Sequence, residues 1–278
     1  MKHADIALDL LALEPAVWVT VDSTQGSVPR DAGTWMAVFA DVVVGTIGGG
    51  HVEFQAIALA RRRLAGEAGE PVLRFALGPS LGQCCGGVMF LRLERVDAAS
   101  TAALRERLAG ARMPLALFGG GHVGQALVEV LARLPFAVVW IDSRESVFPP
   151  APPTNVRCEH SEPVQSAVDD LPPGSHVLIM SFSHAEDLDI VASCLRRLRR
   201  TDDLAYIGLI GSKTKWASFR HRLQERGFSA AELARVTCPI GIAGLPGKEP
   251  EVIAIGVAAQ LLQLRSLAAP SPLQRVGS

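Results

Sequence analysis

The chain has 278 residues, a formal net charge of -1 and a pI near 6.7, and 49% of its residues are hydrophobic against 20% charged. That balance is globular rather than disordered, and a near-neutral chain has no global positive field with which to gather nucleic acid or an anionic membrane. The length suits two domains of ordinary size, each with its own core.

Residues 3 to 13 are apolar at helical spacing and predict a helix. Asp5 and Asp9 interrupt it with carboxylates, which the core of an export signal would not carry. No apolar run reaches the roughly 20 residues that span a bilayer. The expected compartment is therefore the cytoplasm, where thiols stay reduced. The five cysteines are Cys84, Cys85, Cys158, Cys194 and Cys238, and none forms a C-x-x-C pair, so a structural zinc site is not expected.

Further along, Val17 to Val21 predicts a strand, and Gln25 to Arg30 a loop punctuated by Gly26 and Pro29. Thr34 to Ala40 and Val42 to Thr46 predict a hairpin. A helix is expected from His51 to Leu64, strands at Val72 to Phe75 and Val88 to Leu93, and a loop between those strands. This first domain, α+β in class, is expected to span residues 1–96. Residues 97–113 predict a connecting helix. From Pro114 the pattern changes to alternating strand and helix: strands at 115–118, 137–141, 176–180 and 205–209, and helices at 123–134, 188–199, 215–226 and 250–264. Repeated βα units predict a Rossmann-like, doubly wound parallel sheet over 114–265. A frayed tail is expected over 266–278. The arginine runs at 61–63 and 196–200 fall in helices and read as solvated faces, or alternatively as a surface for an acidic partner.

The clearest chemical motif is LALFGGGHVG at 115–124, a G-x-G-x-x-G between a strand and a helix. Gly119 permits the tight turn, Gly121 lets a pyrophosphate approach the backbone, and Gly124 lets the helix pack on the sheet. Asp142 ends the next strand, where a carboxylate would meet ribose hydroxyls, and Arg144 would instead meet a phosphate. His184, Ser212 and Lys213 follow later strands and project to the same end of the sheet. No standard catalytic set is present: Y-x-x-x-K, a Walker A loop, G-x-S-x-G and H-E-x-x-H are all missing. Only His122 or His184 would serve a dehydrogenase as proton donor or acceptor.

Two further motifs lie in the first domain. GQCCGG at 82–87 places Gln83, Cys84 and Cys85 between glycines. Adjacent cysteines in a loop suit soft-metal ligation or sulfur transfer; the plain alternative is two small apolar fillers in a tight turn. IGGGHVE at 47–53 opens a helix with His51 and Glu53 and can bind an anion, with Arg30 as a partner cation; helix-start packing is the alternative.

TQGSVPR at 24–30, GTIGGGHVE at 45–53 and GQCCGG at 82–87 are followed by GGGHVG at 119–124, IDSR at 141–144, His184, GLIGS at 208–212 and PEVIA at 250–254. In this order they resemble the xanthine dehydrogenase accessory proteins, the XdhC/CoxI family, from about residue 10 to 265. The resemblance implies a non-enzymatic chaperone that binds and protects the molybdenum cofactor, molybdopterin. It implies support for sulfuration of that cofactor by a cysteine desulfurase, and insertion of the finished cofactor into xanthine dehydrogenase, an enzyme of purine catabolism. Expected partners are the molybdenum subunit of that enzyme, the desulfurase, cofactor biosynthesis proteins and a second copy of the chain. Cys84 and Cys85 are expected to touch molybdenum or relay sulfur, with the ligand between the two domains. NAD(P) or another nucleotide remains a possible ligand of the Rossmann-like domain, and an NAD(P)-dependent oxidoreductase is the rival reading. Members of the family often carry Cys where this chain has His51, His where it has Glu186, and Glu where it has Gln260. His51 resembles the xanthine dehydrogenase branch of the family.

Overall fold

The computed structural model describes residues 2–77, 86–110 and 112–268. The chain divides into two compact units, 1–110 and 111–278, and each holds its own core.

The first unit opens with α1 (Lys2–Leu11). Ala4, Ala7, Leu8 and Leu11 repeat at helical spacing and are all buried. Next come β1 (Ala16–Gln25), β2 (Trp35–Val38), β3 (Val43–Gly45), α2 (Gly50–Leu64), β4 (Val72–Ala76) and β5 (Val88–Val96). They form an antiparallel sheet of order β3-β2-β1-β5-β4. Successive strand residues point to opposite faces, and here both faces are covered. Val17, Val19 and Val21 of β1 pack with Val52, Ala56 and Ala60 of α2 in one cluster. Ala16 and Trp18, from the same strand, join α1 in the other. A 3-10 turn at Ala98–Ser100 leads into α3 (Thr101–Gly110), whose Leu104 packs in that second cluster. The helix expected to connect the domains therefore belongs to the core of the first unit.

The second unit runs β6 (Met113–Phe118), α4 (His122–Leu131), β7 (Phe136–Asp142), β8 (Val156–His160), β9 (His176–Ile179), α5 (His184–Thr201), β10 (Tyr206–Leu209), α6 (Lys213–Glu225), α7 (Ala230–Leu233), β11 (Val236–Thr237) and α8 (Pro250–Ala268). Its six strands are parallel, in the order β8-β7-β6-β9-β10-β11. This is the doubly wound Rossmann order, with the direction of winding reversing between β6 and β9. α4 and α8 pack on one face through Leu127, Leu131, Val257 and Leu261. α5 and α6 pack on the other through Leu188, Val191, Leu195, Phe219 and Leu223.

Two strands, β8 and β11, have no counterpart in the sequence expectation, and β8 is joined to β9 through a 3-10 turn at Val164–Val168 in place of a helix. That connection is fastened by Arg197 of α5, which is only 5% exposed. Its guanidinium donates to the carbonyls of Val168 and Leu171, each at 2.7 Å, and to both oxygens of Asp203. No described helix is long and apolar enough to cross a membrane.

Candidate functional site

The chemistry-bearing side chains of the second unit gather where its parallel strands end. β6 stops at Phe118, and Gly119 takes a φ of +121°. A side chain there would be strained in any space, and its Cβ would also lie 2.0 Å from the Met180 carbonyl oxygen. At Gly124 a Cβ would lie 2.1 Å from the Gly119 carbonyl, so α4 starts hard against the turn. Gly121 differs, because nothing lies within 4 Å of the position a Cβ would take. It is the N-cap of α4, and no side chain caps that helix. The first-turn N–H groups, with the positive end of the helix dipole, are left for solvent or an anion. His122 is exposed at the start of the helix.

Asp142 ends β7 and is 2% exposed. Its Oδ2 accepts the Gly120 N–H at 2.6 Å, and its Oδ1 accepts the Arg144 N–H at 2.8 Å. The Arg144 guanidinium adds a fork, Nε to Oδ1 at 2.9 Å and Nη2 to Oδ2 at 3.0 Å. Burial works to raise the pKa of Asp142. The Arg144 fork and the two N–H bonds outweigh it and hold the carboxyl below its ordinary value. The carboxylate expected to meet ribose hydroxyls is thus spent on the protein's own loop. Arg144, expected to meet a phosphate, keeps one nitrogen, Nη1, without a hydrogen bond among the described residues. Its guanidinium lies over the Phe182 ring, 4.4 Å from the centroid. Beside it, the Ser143 hydroxyl donates to Glu186 Oε1 at 2.7 Å. The segments after β7 and β9 are thereby linked.

Beyond β9 a buried ion pair ties the ends of β9 and β10 together. Asp187 accepts from the Ser181 N–H at 2.8 Å and from the Ser181 hydroxyl at 2.7 Å. Lys215 Nζ meets Asp187 Oδ2 at 2.6 Å and donates to the Ile210 carbonyl at 2.9 Å. Cys238, which follows β11, lies within electrostatic reach of both, and burial raises its thiol pKa. Lys213, the lysine singled out in the sequence, is exposed at the start of α6. Ser212 caps that helix, its hydroxyl accepting the Lys215 N–H at 3.1 Å. His184 is exposed and stands edge-on to Phe219. Gln260 accepts from the Tyr206 hydroxyl at 3.2 Å and from the Gly241 N–H at 2.8 Å, clamping α8 to the loop before it.

Sequence reasoning passed over Phe182, Asp187 and Lys215. A signal for Asp187 existed. It sits on the stripe of α5 that also carries Ile190, Val191, Cys194 and Leu198, all buried. A carboxylate on a core stripe needs a cation or donors to offset its burial.

In the first unit the glycine loop before α2 is also satisfied from within. Glu53 Oε2 accepts the Thr46 hydroxyl at 2.5 Å, the Ile47 N–H at 2.9 Å and the Gly49 N–H at 3.0 Å. Burial works to raise the pKa of Glu53, but the Thr46 hydroxyl and these loop N–H groups bring it below its ordinary value. Gly48 packs on the neighbouring loop: its Cβ would lie 3.0 Å from Pro29 Cγ and 3.2 Å from Arg30 Cγ. Arg30 and His51 are both exposed, and His51 Nε2 pairs with Gln55 at 2.9 Å. Gln83, Cys84 and Cys85 lie outside the described residues. Among the described residues no group of three or more His, Cys, Asp or Glu side chains is placed to hold a metal ion. A cleft of about 280 Å³ lies at the opposite, amino ends of the strands, between Arg112, Asn155, Arg157 and Pro172. Ligands of open α/β sheets bind at the carboxyl ends, so this cleft is not the candidate site.

Comparison with known proteins gives this arrangement a family. A crystal structure described as a xanthine dehydrogenase from Bacillus halodurans superposes with a TM-score of 0.75, covering 98% of each chain at 20% identity. That likeness speaks for the fold. A Rossmann-fold NAD(P)-binding family protein from Shigella flexneri matches 57% of this chain and 89% of its own at 16% identity, with a TM-score of 0.37, too slight to bear on function. Among curated proteins, the uncharacterized protein YqeB of Escherichia coli (strain K12) is 29% identical over 260 residues. The alignment takes in 91% of this chain but only 44% of that relative, so the chain spans less than half of the curated protein it matches. Residues 10–76 match the model of the XdhC and CoxI family, and residues 115–261, more than half of the chain, match the XdhC Rossmann domain. The chain therefore belongs to the XdhC and CoxI family, and its second unit is the Rossmann domain of that family.

Proposed function

We propose that the protein is an accessory factor for the maturation of xanthine dehydrogenase or a related molybdenum hydroxylase. On this reading it holds the molybdenum cofactor as cargo, supports its sulfuration and delivers it to the apoenzyme. Family membership across both units carries the proposal. The carboxyl end of the second sheet supports it physically. The uncapped start of α4, with open space at Gly121, offers N–H donors to the phosphate of such a cargo, and Arg144 Nη1 offers another donor nearby. Arg30 and His51, at the rim of the stiffened loop before α2, offer a second polar surface. Cys84 and Cys85 are proposed as the thiols that contact molybdenum or pass sulfur.

The oxidoreductase reading fares less well. A dehydrogenase of this fold orients its cofactor through a ribose-binding carboxylate, and here Asp142 is committed to Gly120 and Arg144. The test is the pterin and molybdenum content of protein purified anaerobically from a host that makes the cofactor, beside the Cys84→Ala/Cys85→Ala variant. Near-stoichiometric pterin and molybdenum, reduced in the variant, are expected. Absence of pterin from the unaltered protein, together with tight NAD(H) binding, would overturn the proposal.

A further inference from the structure

Helix α8 buries one side and leaves another bare. Ala254, Val257, Ala258 and Leu261 lie in the core, whereas Ile255 is 59% exposed and Leu262 37%. Val252 and Ala259, both half-buried, complete a strip with them at spacings of three, four and three residues, the repeat of a coiled-coil seam. The loop before the helix widens the strip with Ile242 and Leu245, both exposed. That loop is fastened to α8. Gln260 accepts the Gly241 N–H at 2.8 Å, and a Cβ on Gly256 would lie 3.0 Å from Leu245 Cδ2. A continuous apolar surface held this firmly marks an interface.

The strip reads alike from both ends. Val252 and Leu262 lie five positions either side of Val257, and Ile255 and Ala259 two positions either side. A two-fold contact between copies demands that symmetry, because one patch must complement itself. In an antiparallel pair of α8 helices, Ile255 faces the partner's Ala259 and Val252 faces the partner's Leu262. Each pairing sets a larger side chain against a smaller one, which lets the helix axes approach to about 8–10 Å. Charge obeys the same symmetry. Glu251 in the first turn and Arg265 in the last turn flank the strip on one side. Antiparallel copies bring Glu251 level with the partner's Arg265 to within about 3 Å along the axis, whereas parallel copies would set Glu251 against itself. Arg265 is the single basic residue of α8, while a helix that lies on a membrane carries several on its polar face.

We propose that α8 is a self-association surface: two copies of the chain pair about a two-fold axis, their α8 helices antiparallel and centred on Val257. The loop after β11, at the carboxyl end of the second sheet, lies beside the seam, so pairing braces one flank of that end. The pair forms without cargo or target enzyme, and the proposal therefore stands apart from the maturation reading.

Sedimentation velocity on full-length, cofactor-free protein is the experiment. A concentration-dependent species of twice the 29.5 kDa chain is expected. An interface of a few helical turns is small, so its dissociation constant is expected at about 1–10 µM. I255E sets a carboxylate in the apolar seam twice per pair and is expected to weaken association at least about a hundredfold. Ile255 is exposed in the single chain, so the urea midpoint of dilute protein is expected to stay unchanged; L262E gives the same test at the other end of the strip should I255E fail to fold. E251R is expected to weaken association about tenfold and E251R/R265E to restore it, which an apolar patch without this register would not do. Monomer persisting at about 100 µM, a pair that survives the seam variants, or no recovery in the double charge variant would overturn the proposal. Monomer that sediments with vesicles of phosphatidylcholine and phosphatidylglycerol would overturn it too, by giving the strip to a membrane.

Discussion

At the scale of single residues, the glycine motif and its partner carboxylate were legible by type and only partly by task. The roles of Gly119 and Gly124 follow from spacing alone, since a G-x-G-x-x-G between a strand and a helix needs a turn first and close packing last. What spacing does not reveal is where a neighbour's hydrogen bonds go. Asp142 falls where a ribose carboxylate belongs, yet Arg144, two positions later, folds back onto it. Glu53 tells the same story in the first unit, where the loop that was to receive an anion receives a carboxylate from its own helix. A consequence for Asp142 can be measured. Its pKa is depressed in the folded chain, so its contribution is fully present above the ordinary value of 3.8 and is lost as pH falls through the folded value. Asp142→Asn is expected to cost roughly 2 kcal/mol near pH 7 and to lose less further stability on acidification. Urea midpoints recorded from pH 7 to pH 3 would show this, and equal acid losses in the two proteins would count against it.

At the scale of elements, long periodic segments were readable and short ones were not. The expected strands of the second unit emerge as β6, β7, β9 and β10, because each has a run of apolar residues buried on both faces. β8 lies at the edge of the sheet and alternates apolar with charged residues, Val156, Arg157, Cys158, Glu159 and His160, while β11 has only two residues. Neither presents a hydrophobic run long enough to detect. The turn before β9 also lacks a helical signature, because Arg197, distant in sequence, is what holds it. In helix α6 the lysine that stands out by position and the lysine engaged in the interior are different residues. Lys213 opens the helix and is exposed, whereas Lys215 turns inward to Asp187. Lys215→Ala leaves a buried carboxylate without its cation and is expected to destabilise the protein by about 3 kcal/mol. Lys213→Ala is expected to change stability by less than about 0.5 kcal/mol. Paired chemical denaturation curves separate them, and equal midpoints would refute the assignment.

At the scale of the molecule, the two units were foreseeable from the change of pattern near Pro114. The first is an antiparallel sheet with helices on both faces, and the second is a parallel sheet wound in both directions. Their clusters of buried residues are separate: none of the four spans both units. Residues 111–278 alone are therefore expected to unfold in one cooperative urea transition, as a domain with its own core does. A broad, non-cooperative loss of structure would show that the second unit needs the first.

Trp140 donates its indole N–H to the Gly119 carbonyl at 3.0 Å, from within the core beneath the glycine loop. The other tryptophans, Trp18 and Trp35 stacked in the first unit and Trp216 on α6, are engaged elsewhere. Indole emission responds to its hydrogen bonding, so a ligand that drew on the loop's amides is expected to shift the Trp140 emission maximum, which a fluorescence titration would read. Replacing Trp216 with Phe would leave Trp140 the sole tryptophan of the second unit, so that in residues 111–278 the readout under tryptophan-selective excitation would come from beneath the glycine loop alone.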